Sequence, residues 1–218
     1  MHSTAILFRL CLLALPYLAS SDERPGDPPP KPMTSRPVHG TLVDPRDSKT
    51  YPTVQIDGRT WMAANLDFAA IASRCYDDRP EHCRRFGRLY DWAGALRACP
   101  VGWHLPDDEE WGRLETHVGG RAHAGLALKS SELWSFTGAG QDPWGFSVLP
   151  AGYCIEEGSC VFQGDDADFW TATAYDEGGA WHRGFGYGGP DADRDVYYKT
   201  SLFSVRCVRN DPPSKDQQ

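Results

Sequence analysis

Two clusters of aspartates in the second half of the chain have the residue type and spacing to bind a metal ion. The first cluster is Asp191, Asp193 and Asp195, and the second is Asp165, Asp166 and Asp168. Carboxylate oxygens are the hard ligands that calcium prefers. Asp191, Asp193 and Asp195 are therefore the predicted calcium ligands. The alternative is a solvated acidic loop, because alternate residues of a strand point the same way without any metal.

The short motifs of common catalytic chemistry are missing from the sequence. It has no G-x-S-x-G, no H-E-x-x-H and no P-loop. The run GFGYGG (184–189) is followed by Pro190 and does not open a helix, so it is interpreted as a loop. Carboxylates are numerous, but no spacing singles out a hydrolytic pair. We expect no enzymatic activity and, apart from calcium, no cofactor.

Composition excludes other classes of protein. The 218 residues include 22 Lys and Arg against 30 Asp and Glu, a net charge of −8 with no basic run. Such a chain has no electrostatic footprint for nucleic acid. Its 22 Gly and 17 Pro indicate short strands joined by many turns, and most of its eight Trp are expected in the core.

Both ends of the chain are predicted to lie outside the folded domain. Residues 1–21 have one Arg followed by the apolar run LCLLALPYLA, which is typical of a secretory signal peptide and too short to span a bilayer. Residues 22–40 are a Pro-rich linker, and residues 210–218 are a flexible tail. Residues 41–209 remain as one domain, without a transmembrane segment in the mature chain.

Six cysteines remain after removal of the signal peptide, and in an exported protein they predict three disulfides. Six cysteines allow 15 connectivities, which sequence alone cannot distinguish. The spacing suggests local pairs of Cys75 with Cys83 and of Cys154 with Cys160, where Glu157 and Gly158 could form a turn. Cys99 and Cys207 would then close the long loop. A zinc site is disfavoured because there is no C-x-x-C.

Local patterns indicate helices early and strands late. Thr53–Ile56 and Thr60–Met62 flank Asp57 and Gly58, a strong hairpin signal that opens the domain. Helices are predicted over 91–98 and over 107–118, where Asp107 and Glu110 form a capping box. Strand-like runs are 146–149, 152–162, 169–173, 181–187, 196–199 and 204–208. The pattern predicts an α+β fold.

Several blocks of the sequence resemble the Fibrobacter succinogenes major paralogous domain family. They include LVDPRDSKTYPTVQIDGRTWMAANLD (42–67), GFSVLPAGY (145–153), DFWTATAYDEGGAWHRGF (168–185) and FSVRCV (203–208), and residues 75–120 contribute a further block. Members of that family are bacterial surface or secreted proteins similar to the C-type lectin-like fold. The resemblance implies an α+β domain with adjacent termini. It also implies the pairs Cys75–Cys83 and Cys99–Cys207, with Cys154–Cys160 as a local addition.

The resemblance also indicates a ligand-binding region. The stretch between Phe169 and Tyr198 corresponds to the variable ligand face of retroelement-diversified relatives of the fold. The predicted binding residues are Tyr175, Arg183, Tyr187, Asp193, Arg194 and Tyr197. Trp170 and Trp181 lie in blocks shared with the family and are expected in the core.

These observations predict a secreted or surface-displayed bacterial binding domain without catalytic activity. Its partner would be a protein or a glycan at the cell surface, and its location the cell envelope or the exterior. One alternative is a calcium-dependent carbohydrate-binding lectin, although the Glu-Pro-Asn and Trp-Asn-Asp signatures are absent. A second alternative is a structural component of the envelope or matrix. The least favoured is an enzyme, since Cys154 and Cys160 are only faintly similar to the cysteine pair of formylglycine-generating enzymes.

Overall fold

The structure is a computed structural model that describes residues 37–155 and 158–210. The predicted signal peptide, nearly all of the predicted linker, Glu156, Glu157 and residues 211–218 lie outside the described residues. The first strand begins at Val38, three residues before the predicted start of the domain at residue 41.

Thirteen strands and four α-helices make up the described part of the chain. The strands are β1 (Val38–Val43), β2 (Thr50–Ile56), β3 (Arg59–Met62), β4 (Ser73–Arg74), β5 (Leu89–Tyr90), β6 (Trp103–His104), β7 (Tyr153–Cys154), β8 (Cys160–Val161), β9 (Asp166–Ala174), β10 (Gly179–Gly186), β11 (Asp193–Tyr198), β12 (Phe203–Ser204) and β13 (Val208–Arg209). The helices are α1 (Pro80–Phe86), α2 (Trp92–Ala98), α3 (Asp108–His117) and α4 (Arg121–Leu128), with a short 3₁₀ turn at Tyr76–Asp78. This composition confirms the α+β class.

A five-stranded sheet in the order β1-β2-β3-β13-β6 contains the predicted hairpin. Asp57 and Gly58 join β2 to β3 and both have positive φ, 49° and 74°, as a two-residue hairpin turn requires. The expectation that this hairpin opens the domain is wrong, because β1 precedes it and pairs antiparallel with β2 along its whole length.

The two predicted helices are present, and two more were missed. Asp91 accepts a hydrogen bond from the Gly94 amide at the start of α2, and the capping box of Asp107 and Glu110 begins α3. The fold therefore has four helices, not two, all between residues 80 and 128. α1 has only seven residues, too few for a periodic pattern, and α4 follows directly on Gly119 and Gly120, which are typical of a chain leaving a helix.

The late strands form a six-stranded sheet in the order β11-β10-β9-β12-β5-β4 and a separate β7-β8 hairpin. The predicted run 146–149 is not a strand: it has one isolated bridge, between Val148 and Lys129. Side chains satisfy its backbone instead, since Asp142 accepts from the amides of Phe146 and Ser147. Arg206 donates to the carbonyl oxygens of the same two residues.

Three disulfides join the pairs Cys75–Cys83, Cys99–Cys207 and Cys154–Cys160, as predicted. Cys99 follows α2 and Cys207 precedes β13, so this bond ties a helix end to the last strand across 108 residues. A crosslink of that span stabilises the fold by about 4 to 5 kcal/mol in the chain-entropy model.

Large aromatic rings fill the core, as expected of a fold with few aliphatic residues. Trp61, Trp111 and Phe146 pack against one another in one cluster, and Trp170 stacks on Phe203 in a second. Four of the eight Trp are buried, namely Trp61, Trp111, Trp134 and Trp170, and the other four are half-buried.

Candidate functional site

Strands β9, β10 and β11 lie side by side, and their register decides which side chains share a face of the sheet. Asp168, Gly184 and Asp193 form one row across the three strands, and Trp170, His182 and Asp195 form the next. Directly opposed residues of antiparallel strands point to the same face. Arg183, opposite Phe169 and Arg194, points to the other face.

We call the face of Trp181, Arg183 and Arg194 the paired face. Arg183 is only 1% exposed and donates to Glu115 Oε1 at 2.6 Å and to Asp108 Oδ1 at 2.7 Å. Arg194 donates to Asp108 Oδ2 at 2.8 Å. These bonds attach α3 to β10 and β11.

The pKa values of the two carboxylates on the paired face are shifted in opposite directions. Burial raises the pKa of Glu115, and the hydrogen bond and charge of Arg183 offset this only in part. Burial also acts to raise the pKa of Asp108, but the hydrogen bonds from Arg194 and Arg183 together outweigh it and lower that pKa. Every charge on this face has a partner, so its role is structural.

The opposite face, which we call the acidic face, carries carboxylates and one histidine. Its residues are Asp166, Asp168, His182, Asp193, Asp195 and Tyr197. Gly184 lies between Asp168 and Asp193, and a Cβ there would lie 3.2 Å from Asp168 Oδ1 and 3.5 Å from Asp193 Cβ. No side chain separates the two carboxylates at this position, which we call the Gly184 slot.

Negative charge on the acidic face is not neutralised. Within the described ranges no Lys or Arg forms a salt bridge with Asp166, Asp168 or Asp193. Burial, followed by the charges of Asp168, Asp165 and Asp193, raises the pKa of Asp166 to about 6. Partial burial and the neighbouring Asp191 raise the pKa of Asp193 as well.

Among the described residues, His182 is the one basic side chain on the acidic face. It is 7% exposed, and its Nδ1 lies 3.2 Å from Asp168 Oδ1, which is an ion-pair distance. The angle does not allow a hydrogen bond, and this buried Nδ1 has no hydrogen-bond partner among the described residues. Asp168 therefore accepts no hydrogen bond from the imidazole.

Aromatic rings border the acidic face on its His182 side. Tyr197 packs edge-on against His182 and Tyr153, with centroid distances of 5.8 and 5.7 Å, and Tyr153 contacts Phe162 at 5.8 Å. Burial and the neighbouring Tyr197 raise the pKa of Tyr153, which stays neutral. Phe162 is 49% exposed. We call Tyr153, Phe162 and Tyr197 the aromatic wall.

A family comparison covers both faces and the aromatic wall. The model of the Fibrobacter succinogenes major domain matches residues 54–209. The chain belongs to this family. No curated protein and no solved structure matches it.

The structure does not bring the six predicted binding residues of this family member together on one surface. Asp193 and Tyr197 lie on the acidic face. Tyr187 follows the end of β10, where its amide donates to the Asp165 carbonyl and its ring, 44% exposed, contacts Phe136 at 5.6 Å.

The other three predicted binding residues lie with Trp181 on the paired face. Arg183 is buried and ion-paired, so its assignment to a binding surface is wrong. Arg194 is half-buried, bonded to Asp108, and lies 3.5 Å over the Trp181 ring. The expectation that Trp181 belongs to the core is also wrong, because it is half-buried under Arg194, with Tyr175 at its edge.

The three predicted calcium ligands do not converge. In residues 37–155 and 158–210 no three His, Cys, Asp or Glu side chains are grouped so that they could hold a metal ion. Asp193 and Asp195 are alternate residues of one strand, as in the alternative interpretation of the sequence, and Asp191 precedes the strand.

Sequence reasoning missed Tyr153, Phe162 and the slot at Gly184. A signal was present in the alternation of Asp166, Asp168 and Trp170, which predicts one face of a strand. The opposing glycine could not be identified without the register of β9 against β10.

A second set of titratable residues surrounds a cavity of about 450 Å³ at the start of α3. His104 Nε2 lies 2.9 Å from Glu110 Oε2, and its Nδ1 lies 2.6 Å from Asn210 Oδ1. Arg59 also pairs with Glu110. No Ser, Thr, Cys or Lys is among the described residues that line this cavity.

Proposed function

We propose that this family member is an exported binding domain without catalytic activity, and that its acidic face holds a cationic group of a protein partner. The observation that carries the proposal is the pair of carboxylates, Asp168 and Asp193, on either side of the Gly184 slot. Asp166 adds a third acid without a salt-bridge partner among the described residues.

A cationic group fits the electrostatics of this face better than a neutral one. Burial and, after it, the like charges of the neighbouring aspartates raise the pKa of Asp166, and a bound ammonium or guanidinium would relieve the repulsion between them. A neutral sugar hydroxyl would leave it in place. Outside the cluster, Lys129 donates to the Gly186 and Gly189 carbonyls, and the charge of Arg121 lowers the pKa of Asp193 only in part.

The aromatic wall supports the same kind of ligand. Ring faces attract Lys and Arg side chains, and Tyr is frequent among the residues that dominate protein interfaces. Tyr153 and Tyr197 pack edge-on against each other, so the wall is formed before a partner arrives. A pre-formed surface loses little entropy on binding.

Export and the relationship to C-type lectin-like folds are parts of the same proposal. Three disulfides suit an oxidising compartment. In the part of the chain that the structure describes, no helix is long and apolar enough to cross a membrane. The family resemblance supports a surface or secreted location in a bacterium, where the partner would be another protein.

Titration with a charged peptide and its neutral isostere tests the proposal. The probe is a short Gly-rich peptide with one Arg and one Lys, and its control replaces them by citrulline and acetyl-lysine. We expect NMR shift changes at Asp166, Asp168, His182 and Asp193 with the charged peptide only. Equal binding of the neutral peptide would overturn the proposal.

Filling the slot provides a matched pair of variants. Gly184→Ala places a methyl group against Asp168 Oδ1, and its φ does not require glycine, so we expect a folded protein with binding weakened about tenfold or more. Glu109→Gln removes one negative charge from the exposed side of α3, behind the paired face. It should change the affinity for the peptide by less than about twofold. Equal effects of the two variants would show that net charge alone attracts the peptide.

A further inference from the structure

A second charged site, of the opposite sign, lies beside the Cys75–Cys83 disulfide. A cavity of about 430 Å³ there falls in the size range of small-ligand sites. Its charged lining residues are Lys49, Asp67, Arg74, Asp78, Arg84 and Arg88. Four cations and two acids give a local charge of +2 in a chain whose net charge is −8.

Both acids in this cavity already have partners. Lys49 Nζ lies 2.6 Å from Asp67 Oδ2, and Arg74 Nε donates to Asp78 Oδ1 at 2.9 Å. Within the described ranges neither Arg84 nor Arg88 pairs with a carboxylate. The excess positive charge therefore belongs to these two guanidinium groups.

The disulfide and its surroundings hold Arg88 in place. Arg88 Nε donates to Ser73 Oγ at 3.2 Å, and its Nη1 lies 3.3 Å from Cys83 Sγ and 3.4 Å from Cys75 Sγ. Its Nη2 makes no hydrogen bond to any described residue. Arg84 follows Cys83 in α1, so the same disulfide fixes the helix that carries it.

We propose that Arg84 and Arg88 bind a tetrahedral oxyanion, as a sulfate or phosphate group of a larger ligand. Guanidinium groups present paired N–H donors that match oxyanion geometry, and charge-assisted bonds of this kind are among the strongest in proteins. Arg74 and Lys49 add attraction at the cavity edge. This site is independent of the cationic ligand proposed for the acidic face.

Calorimetric titration of the full oxidised chain with inorganic sulfate tests the site, with phosphate in parallel and chloride at equal ionic strength as the reference. We expect saturable binding of sulfate and phosphate beyond the chloride baseline. Tighter phosphate than sulfate would assign the ligand group to phosphate esters, and the reverse order to sulfate esters. Absence of saturable binding by both anions would overturn the proposal.

Two neighbouring arginines of α1 provide matched variants. Arg84→Gln removes a cavity cation, whereas Arg85→Gln removes the same charge from the next residue, which lies over the Phe86 ring and does not line the cavity. Arg84 is exposed, so its loss should not unfold the protein. We expect Arg84→Gln to weaken sulfate binding at least about fivefold and Arg85→Gln less than about twofold. If both variants weakened sulfate binding equally, general charge attraction would explain the binding, and the proposed site would be wrong.

Discussion

The two faces of strands β9, β10 and β11 differ in how their charged side chains are compensated. On the paired face Arg183 bonds to both Glu115 and Asp108 and is almost completely buried. On the acidic face no Lys or Arg of the described residues forms a salt bridge with Asp166 or Asp168, and the imidazole of His182 lies near Asp168. Both faces belong to the same three strands, so the backbone does not explain the difference.

The comparison separates charges that build the fold from charges that are available to a ligand. A buried carboxylate with a guanidinium partner is stable only as part of its network. A carboxylate held near other carboxylates, with a raised pKa, destabilises the fold that carries it. Such residues are typical of functional sites, where stability is sacrificed for binding.

Breaking the network of the paired face should have the largest effect. Arg183→Met leaves Glu115 buried without its cation, so we expect a loss of about 3 to 5 kcal/mol in the free energy of unfolding. Urea unfolding followed by Trp fluorescence measures it. A loss below about 1 kcal/mol would mean that this face is no more dependent on its charges than an exposed surface.

Removing the outer arginine of the same face should have a smaller effect. Arg194→Met removes a half-exposed ion pair and a cation–π contact with Trp181, while Asp108 keeps Arg183, so we expect a loss of about 1 to 2 kcal/mol. The same unfolding measurement, with Arg183→Met alongside, ranks the two. A larger loss from Arg194→Met would mean that Arg194, and not Arg183, is the more important arginine of the paired face.

An isosteric change on the acidic face should stabilise the protein. The pKa of Asp166, about 6, is above its ordinary value of 3.8, so the charged form disfavours folding. Since the side chain is partly exposed, we expect Asp166→Asn to add only about 1 kcal/mol at neutral pH. The same variant should weaken binding of the charged peptide, because it removes a carboxylate from the site.

The stability gained by Asp166→Asn should depend on pH, because the pKa of Asp166 is raised in the folded protein. Asp166 contributes stability while it is protonated, below its unfolded pKa, and loses it as the pH rises through about 6. The difference in the free energy of unfolding between Asp166→Asn and the unchanged protein should therefore be close to zero near about pH 4. It should reach its full value above about pH 7. Urea unfolding at both values measures it, and a gain that grows as the pH falls would contradict the assignment.

A nearby exposed aspartate is the control with the smallest expected effect. Asp195 lies opposite His182 on the same strand as Asp193, but it is exposed and accepts a hydrogen bond from the Val196 amide beside it. Asp195→Asn should change the free energy of unfolding by less than about 0.5 kcal/mol. An effect as large as that of Asp166→Asn would mean that the partly buried Asp166 is no different from the exposed Asp195 on the same face.

Much of the fold could be predicted from local sequence, because the signals are local. The Asp57-Gly58 turn and the capped starts of α2 and α3 depend on neighbouring residues. The helix α1 was missed because its seven residues are too few for a periodic pattern. The segment 146–149 was wrongly predicted as a strand, since its backbone is satisfied by Asp142 and by the distant Arg206.

The candidate site was harder to predict because faces of a strand depend on register. An irregularity in the pairing of β9 with β10 lies between Ala180 and His182. A change of one residue moves every side chain to the opposite face. The sequence therefore placed Arg183 and Asp193 in one predicted binding surface, although they lie on opposite sides of the sheet.

The most direct test of the uncompensated acidic face is an NMR measurement of the Asp166 pKa, with and without the charged peptide. We expect a pKa of about 6 in the free protein, because of burial and the neighbouring acids. Saturating peptide should move it towards the ordinary value of 3.8. A pKa already near that value in the free protein, unchanged by the peptide, would contradict the account.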